Sequence, residues 1–386
     1  MKFLKSFLFG SATSAYQTEG QSNLTDWHDW ELVPGHIVDN SNSMIAADSW
    51  NKWQDDIKIL KETHQNAYRF SIEWAKIEPI EGKFDQTAIN HYRDILTELK
   101  KQNITALVTL HHFTNPAWLG KIGGFANPES IKYFTRYATK IIKELGDLTE
   151  LWTTFNETKV LIMKGNLQTE WFPGKFNPWR AFKMYKNMIK AHNSAYVAIK
   201  KLGNYKVGIV QNISAYAPKK PGFLNNILVN IARYFDTAIF IKPTVKYMDF
   251  LGINYYMKFA LQAKVPFLSH PNTLKNDYGW SINQEGLYQV IMENTKWGKP
   301  IYITENGVAD EKDLIRPDFI KQALENIDQA ITGGAPVEGY FYWSLLDNFE
   351  FASGYTMKFG LATIDRKIRP SAFVYRDLID KVSQPD

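Results

Sequence analysis

The sequence predicts an α/β fold, one closed barrel of eight parallel strands with helices between them, spanning residues 1–386 as a single domain. Three observations lead to this (β/α)8 TIM barrel. Eight short runs rich in β-branched and aromatic residues recur, at 6–16, 66–74, 104–113, 150–157, 205–214, 247–256, 300–307 and 337–348. Segments with apolar residues at helical spacing lie between them, and such alternation argues for a parallel sheet covered by helices. No Pro-, Gly- or Ser-rich linker divides the 386 residues, so eight units fit a closed barrel better than an open sheet.

The strands come first. The runs lack a clean in–out alternation, as expected where both faces are buried. The opening "MKFLKSFLFG" sets Lys2 and Lys5 before apolar residues, but Lys5 and Ser6 break the run. It is too short for a secretory core and reads as the lead into the first strand. A doubly wound open sheet is the competing fold. It would carry a Gly-rich phosphate turn after that strand, and "FGSATSAYQTEG" lacks the pattern.

The helices follow. Segment 85–103 places Ile89, Tyr92, Ile95, Leu96 and Leu99 on one face after an Asp start. Segment 128–146 does the same and ends at Gly146, and 318–334 ends at a Gly pair. "NNILVNIARYFDTAIFI" (225–241) reads as an ordinary core-facing barrel helix rather than a membrane-surface one.

Composition narrows the function. The formal charge is +5, and no block of five like charges occurs. That fits a solvated surface and no nucleic-acid or membrane partner. No stretch approaches 18 apolar residues, so no span is expected. The chain has no Cys, which excludes disulfides, thiolate catalysis and Cys-based metal sites and fits a cytoplasmic protein. Aromatics reach 15%, enough for a large core or for stacking on a sugar or aryl ligand.

In a barrel of this kind, active sites lie at the C-terminal ends of the strands. The residues expected there are Tyr16 and Gln17, Glu73 and Trp74, His111 and His112, Asn156 and Glu157, Asn254 and Tyr256, Glu305 and Asn306, and Trp343 to Glu350. Glu157 and Glu305 fall on the fourth and seventh strands, roughly opposite in an eight-strand ring. Facing carboxylates are what glycosidic cleavage needs: one protonates the leaving oxygen, the other attacks the anomeric carbon or activates water. A separation near ~5 Å would imply the retaining route. Adjacent residues on a strand point to opposite faces, so His111 and His112 are read as one packed and one hydrogen-bonding imidazole rather than a metal pair. Glu73 is read as an ion-pair partner beneath the site. Trp27, Trp30, Trp50, Trp53 and Trp74 are read mostly as packing, with a sugar path as the alternative.

The stretches "FLFGSATSAYQTEG", "YRFSIEWAKIEP", "TLHHFTNPAWL", "TTFNE", "DFLGINYY", "YITENG" and "YFYWSLLDNFEFASGY" run in order from residue 7 to about 365. Together they resemble family 1 of the glycoside hydrolases, the β-glucosidase/β-galactosidase family. The resemblance implies Glu157 as general acid/base and Glu305 as nucleophile. It implies that Asn156 binds the sugar 2-hydroxyl, and that Gln17, His112 and Glu350 bind other hydroxyls. Trp343 would stack on the sugar, while Tyr256 and Arg69 would orient Glu305 and keep it ionised. The expected activity is a retaining exo-β-glycosidase acting on a small-molecule β-glycoside without a cofactor.

There are departures from the family pattern. Thr158 follows the acid where the family has Pro. Phe351 and Phe113 stand where many members carry Trp. Phe offers no N–H donor, so looser discrimination among gluco-, galacto- and fuco-sugars is expected at Phe351. The carboxylate of Glu350 is expected to repel phosphorylated sugars. Segments 158–204 and 215–246 look shorter than in most members, which suggests an open leaving-group side, with a narrower range of acceptors as the alternative. An endo-glucanase, a sugar-binding pseudoenzyme and a transglycosidase are the competing functions.

Overall fold

In a computed structural model, which describes residues 3–270 and 273–383, the barrel forms and closes. Met1 and Lys2 lie outside the described residues. The barrel strands are β1 (Leu8–Ala12), β2 (Ala67–Ser71), β3 (Thr105–Thr109), β4 (Leu151–Asn156), β5 (Lys206–Asn212), β6 (Phe250–Asn254), β7 (Ile301–Asn306) and β8 (Val337–Trp343). Each pairs in parallel with its neighbours in chain order. The ring closes between β1 and β8, from Leu8 opposite Gly339 to Ala12 opposite Trp343.

All eight predicted runs contain a strand, and most overshoot its C-terminal end. "SFLFGSATSAY" leaves the sheet at Ala12 and turns into the short helix Ala15–Thr18. His111, His112, Glu157, Tyr256 and Glu350 likewise sit just past a strand rather than in it. That places them where the sheet opens.

The two-residue period of a strand sorts the core into two layers. Ala12, Ala67, Leu107, Leu151, Phe250, Tyr302, Phe341 and Trp343 form the cluster inside the barrel. Their alternates, among them Phe9, Phe70, Val108, Trp152, Ile209, Ile253 and Tyr340, pack outward under the helices. Gly10 is required by that crowding: a Cβ there would stand 2.4 Å from the Ala67 carbonyl oxygen and 2.9 Å from the Phe341 ring.

The predicted helices are present as Gln86–Lys101, Ser130–Leu145 and Arg316–Thr332. Asp85 caps the first by accepting from the Thr87 and Ala88 amides at 2.7 and 3.2 Å, a contact worth about 1 kcal/mol. Segment 225–241 departs from expectation. It forms the helix Phe223–Arg233 continued by a π turn, Tyr234–Ala238, and within the helix only Val229 is buried. The helix lies in the connection between β5 and β6, over a small sheet of Ala215–Pro218, Lys258–Leu261 and Leu268–Ser269. It has protein on one side only, so its apolar face is not core-facing.

Candidate active site

Arg69 is the fixed point of the site. Position 69 shares the inward face of β2 with Ala67, so a guanidinium stands fully buried in the barrel. A buried charge is tolerated only when paired and hydrogen-bonded. Arg69 meets that demand from β4 and β7. Nη1 lies 2.5 Å from Glu305 Oε1 and donates to the Thr304 carbonyl at 3.1 Å. Nη2 donates to Asn156 Oδ1 at 2.7 Å. The Tyr256 hydroxyl donates to the other Glu305 oxygen at 2.8 Å.

Glu157 has a different setting. Its oxygen Oε1 accepts from Asn254 Nδ2 at 2.7 Å and from Asn212 Nδ2 at 3.1 Å. No cation among the described residues forms an ion pair with it. Its backbone is left-handed, φ 45° and ψ 55°, which costs a non-glycine residue about 1–2 kcal/mol. Its backbone N–H donates to the Val210 carbonyl at 2.9 Å and holds that geometry. The helix Thr158–Asn166 starts directly after it, and Thr158 accepts a hydrogen bond from Gln211 at 2.8 Å.

Asn254 joins the two halves. It donates to Asn156 Oδ1 at 3.1 Å as well as to Glu157, and accepts from Thr304 Oγ1 at 2.7 Å. Asn156 in turn reaches His112 Nε2 at 3.2 Å. Burial, aided by the Arg69 charge, holds His112 well below the usual imidazole range. It is therefore neutral at pH 7.

Burial dominates the acids. It pushes Glu157 up to about 7, and the charge of Glu305 acts in the same direction. Glu305 is also raised by burial, against the opposing pull of Arg69, Tyr256 and Asn254. Arg69 and Tyr256 act on Glu305 in the expected direction, and desolvation is the larger effect. The order of ionisation still favours Glu305, because only it has a guanidinium and a phenol to stabilise its charge. The linkage has a definite sign. A carboxyl that keeps its proton to about pH 7 when folded, but loses it near ~4.5 when unfolded, makes stability fall as pH rises through that window. Glu157→Gln is therefore expected to raise stability at pH 8 by up to about 3 kcal/mol, with the gain fading toward pH 4.5. Urea midpoints at pH 5 and pH 8 measure this.

The rim completes a cavity of about 630 Å³ lined by both acids and by Gln17, His112, Tyr256, Trp343, Glu350 and Phe351. Gln17 Nε2 donates to Asn348 Oδ1 at 2.9 Å and to Glu350 Oε2 at 3.3 Å. Trp343 Nε1 donates to Glu350 Oε1 at 3.1 Å, and its ring lies parallel to His112 with centroids 6.0 Å apart. Phe351 stacks on Trp171 and Tyr16 and meets Trp27 and Phe113 edge-on. It presents a ring with no donor to the cavity.

Two further expectations change. Burial pushes Glu350 up to about 8, so at neutral pH it is largely a neutral carboxyl and its charge is no bar to a phosphate. Glu73 makes no ion pair among the described residues; it accepts from Thr114 Oγ1 at 2.9 Å and from the Ala75 amide, capping the helix Trp74–Ile77. His111 is the packed imidazole, bonded to Asn115 between Phe125 and Phe155. Of the five tryptophans, only Trp30 lines the cavity.

Sequence reasoning missed Asn212, the strand-end residue of β5 in "GIVQNIS". The rule that supplied the other seven strand ends also reaches it. Trp171, Tyr278 and Trp280 line the cavity from loops, and no pattern in the sequence marks them.

Two buried carboxyls, one beside a guanidinium and one among amides, at the open end of a barrel, are the equipment of an enzyme that cleaves glycosidic bonds. Comparison with known proteins agrees. The family model "Glycosyl hydrolase family 1" matches residues 1–248 and 241–383. The chain is 32% identical to a 1,4-beta-D-glucan glucohydrolase of Thermotoga neapolitana, covering 98% of each. It is 28% identical to a beta-galactosidase of Pyrococcus woesei, covering 94% of this chain and 93% of that one. Among solved structures it matches a beta-glucosidase from Thermotoga maritima in complex with glucoimidazole, with a TM-score of 0.93, 28% identity and full coverage of both chains. The chain belongs to glycosyl hydrolase family 1 and is a glycoside hydrolase.

Proposed function

We propose that residues 1–386 act as one catalytic domain that removes single sugars from small neutral β-glycosides with retention of configuration. Glu305 attacks the anomeric carbon while the proton of Glu157 passes to the departing oxygen. The C–O bond breaks and the sugar is left esterified to Glu305. Loss of the Glu305 charge removes one cause of the raised Glu157 pKa. Glu157 then takes a proton from water, whose oxygen attacks the anomeric carbon and frees Glu305.

The observation that carries this reading is the asymmetry between the acids. Glu305 contacts Arg69 and Tyr256, whereas among the described residues the Glu157 carboxyl accepts its hydrogen bonds from Asn212 and Asn254. In this reading Asn156, Gln17, His112 and Glu350 bind hydroxyls, Trp343 covers the apolar face of the sugar, and Arg69 and Asn254 hold the acids. Relatives named for glucan, glucoside and galactoside substrates support a neutral sugar, and the donor-free Phe351 supports tolerance at one hydroxyl. Two carboxyls suffice for the chemistry, so no cofactor is invoked. A cytoplasmic setting fits a chain without Cys.

Initial rates on the 4-nitrophenyl β-glucoside, β-galactoside, β-fucoside and 6-phospho-β-glucoside test the assignment. Turnover of the three neutral sugars, within about tenfold of each other, is expected. Turnover of the phosphorylated sugar alone would overturn it.

A further inference from the structure

The net charge of +5 conceals an uneven distribution. Residues 171–270 hold 15 Lys and Arg against two acids, Asp236 and Asp249, a net of +13. The remaining 286 residues hold 30 Lys and Arg against 38 acids, a net of −8. Both acids of the basic segment are engaged with protein: Asp236 with Lys159 and the Ser214 amide, Asp249 with Lys200, Tyr196 and the Val207 amide. On the scale of a hundred residues, the charges are not spread evenly.

The same segment carries the helix whose apolar side faces away from the protein. At 3.6 residues per turn, Phe223, Leu224, Ile227, Ile231, Tyr234 and Phe235 fall within an arc of about 120°. All six are exposed, Phe223 by 79% and Phe235 by 60%. The opposite side rests on the small sheet through Val229, and Asp236 ties the following π turn down. Asn225 joins the start of the helix to Ala263, on the loop that exposes Val265 by 78%. On the other flank, Tyr185 packs on Phe240 and bonds the Ile239 carbonyl. One turn earlier Phe182 stacks on Trp179, itself 65% exposed. Lysines border these rings: Lys183 lies over Trp179, Lys186 over Phe182 and Lys242 over Tyr234.

We propose that this face docks the protein on the surface of an anionic lipid bilayer. An outward apolar helix face edged by lysines and interfacial aromatics is the composition that rests in a headgroup layer, the apolar side chains entering and the ammonium groups meeting lipid phosphates. A nucleic acid would engage the lysines but leave Leu224, Ile227 and Ile231 uncovered. A second copy meeting this face with its own would set Lys183, Lys186 and Lys242 against the same three lysines. No helix among the described residues is long and apolar enough to cross a membrane, so the attachment is peripheral. The docking does not depend on the glycosidase reading, since none of its residues lines the cavity.

Flotation of the full chain with vesicles tests this. Vesicles of phosphatidylcholine alone are compared with vesicles containing phosphatidylglycerol, at low and high salt. Binding to the anionic vesicles is expected, at least about tenfold stronger than to the neutral ones and weakened by salt. The pair Phe223→Ser with Phe235→Ser, and the pair Lys183→Glu with Lys186→Glu, should each weaken it at least about tenfold. Turnover of a soluble aryl glycoside should be unchanged, which also reports that both variants fold. No flotation with anionic vesicles, or flotation undiminished in both variants, would overturn the proposal. So would a dimer in light scattering that the Phe223→Ser and Phe235→Ser pair dissolves, because that face would then be covered by a second copy.

Discussion

Glu305→Gln lowers kcat for a β-glucoside on the order of 10⁴-fold or more, as expected when the attacking group of a covalent enzyme is removed. Glutamine keeps the volume and an oxygen facing Arg69, but its amide is a poor nucleophile, and the buried guanidinium loses its counter-charge. Loss of the counter-charge costs stability, while removing a buried carboxylate relieves the desolvation that raises Glu305, so the two act in opposite directions on the urea midpoint. Steady-state kinetics beside a urea titration separates turnover from stability. A folded variant with near-native turnover would remove Glu305 from the chemistry.

The second large effect is expected at Glu157, and it depends on the leaving group. Glu157→Ala should slow cleavage of an alkyl β-glucoside by about 10²–10⁴-fold, the usual contribution of a general acid. A 2,4-dinitrophenyl glucoside needs no proton on departure, so its first step should be nearly spared and its second step should become limiting. A burst of dinitrophenol followed by slow turnover is the signature. Added azide should accelerate that slow phase and yield a β-glycosyl azide, because the small anion enters from the side that alanine leaves open. An equal loss with both leaving groups would contradict a proton-donor role. In the native protein, kcat/KM should fall as pH rises past about 7, where Glu157 loses its proton, and that limb should vanish in the variant.

The fold was legible because each strand is buried on both faces. A run such as "ALVTL" has no polar side to hide, and Asp85 and Gly146 mark the ends of helices by simple backbone chemistry. The candidate site was legible where position substitutes for contact: strand ends converge in a barrel, so Glu157, Glu305, Gln17, His112 and Trp343 can be gathered without coordinates. The orientation of Arg69 follows from strand phase, which the sequence does not specify without an independent mark of the inward face. Trp171, Tyr278 and Trp280 reach the cavity on loops, where no periodicity exists to read. The helix Phe223–Arg233 shows the limit most clearly. Its apolar spacing identifies a face but does not say which way that face turns. Electrostatics was the least legible layer, since the raised acids of Glu157, Glu305 and Glu350 come from burial that only the folded chain reveals.

Trapping the covalent intermediate shows which of the two acids attacks the sugar. A 2-deoxy-2-fluoro β-glucoside with a dinitrophenyl leaving group slows both steps, the second more than the first, so the glycosyl ester accumulates. Peptide mapping by mass spectrometry then locates the added sugar. A single adduct on Glu305 is expected, in the peptide containing "YITENG". An adduct on Glu157, or dinitrophenol released without any adduct, would contradict that expectation.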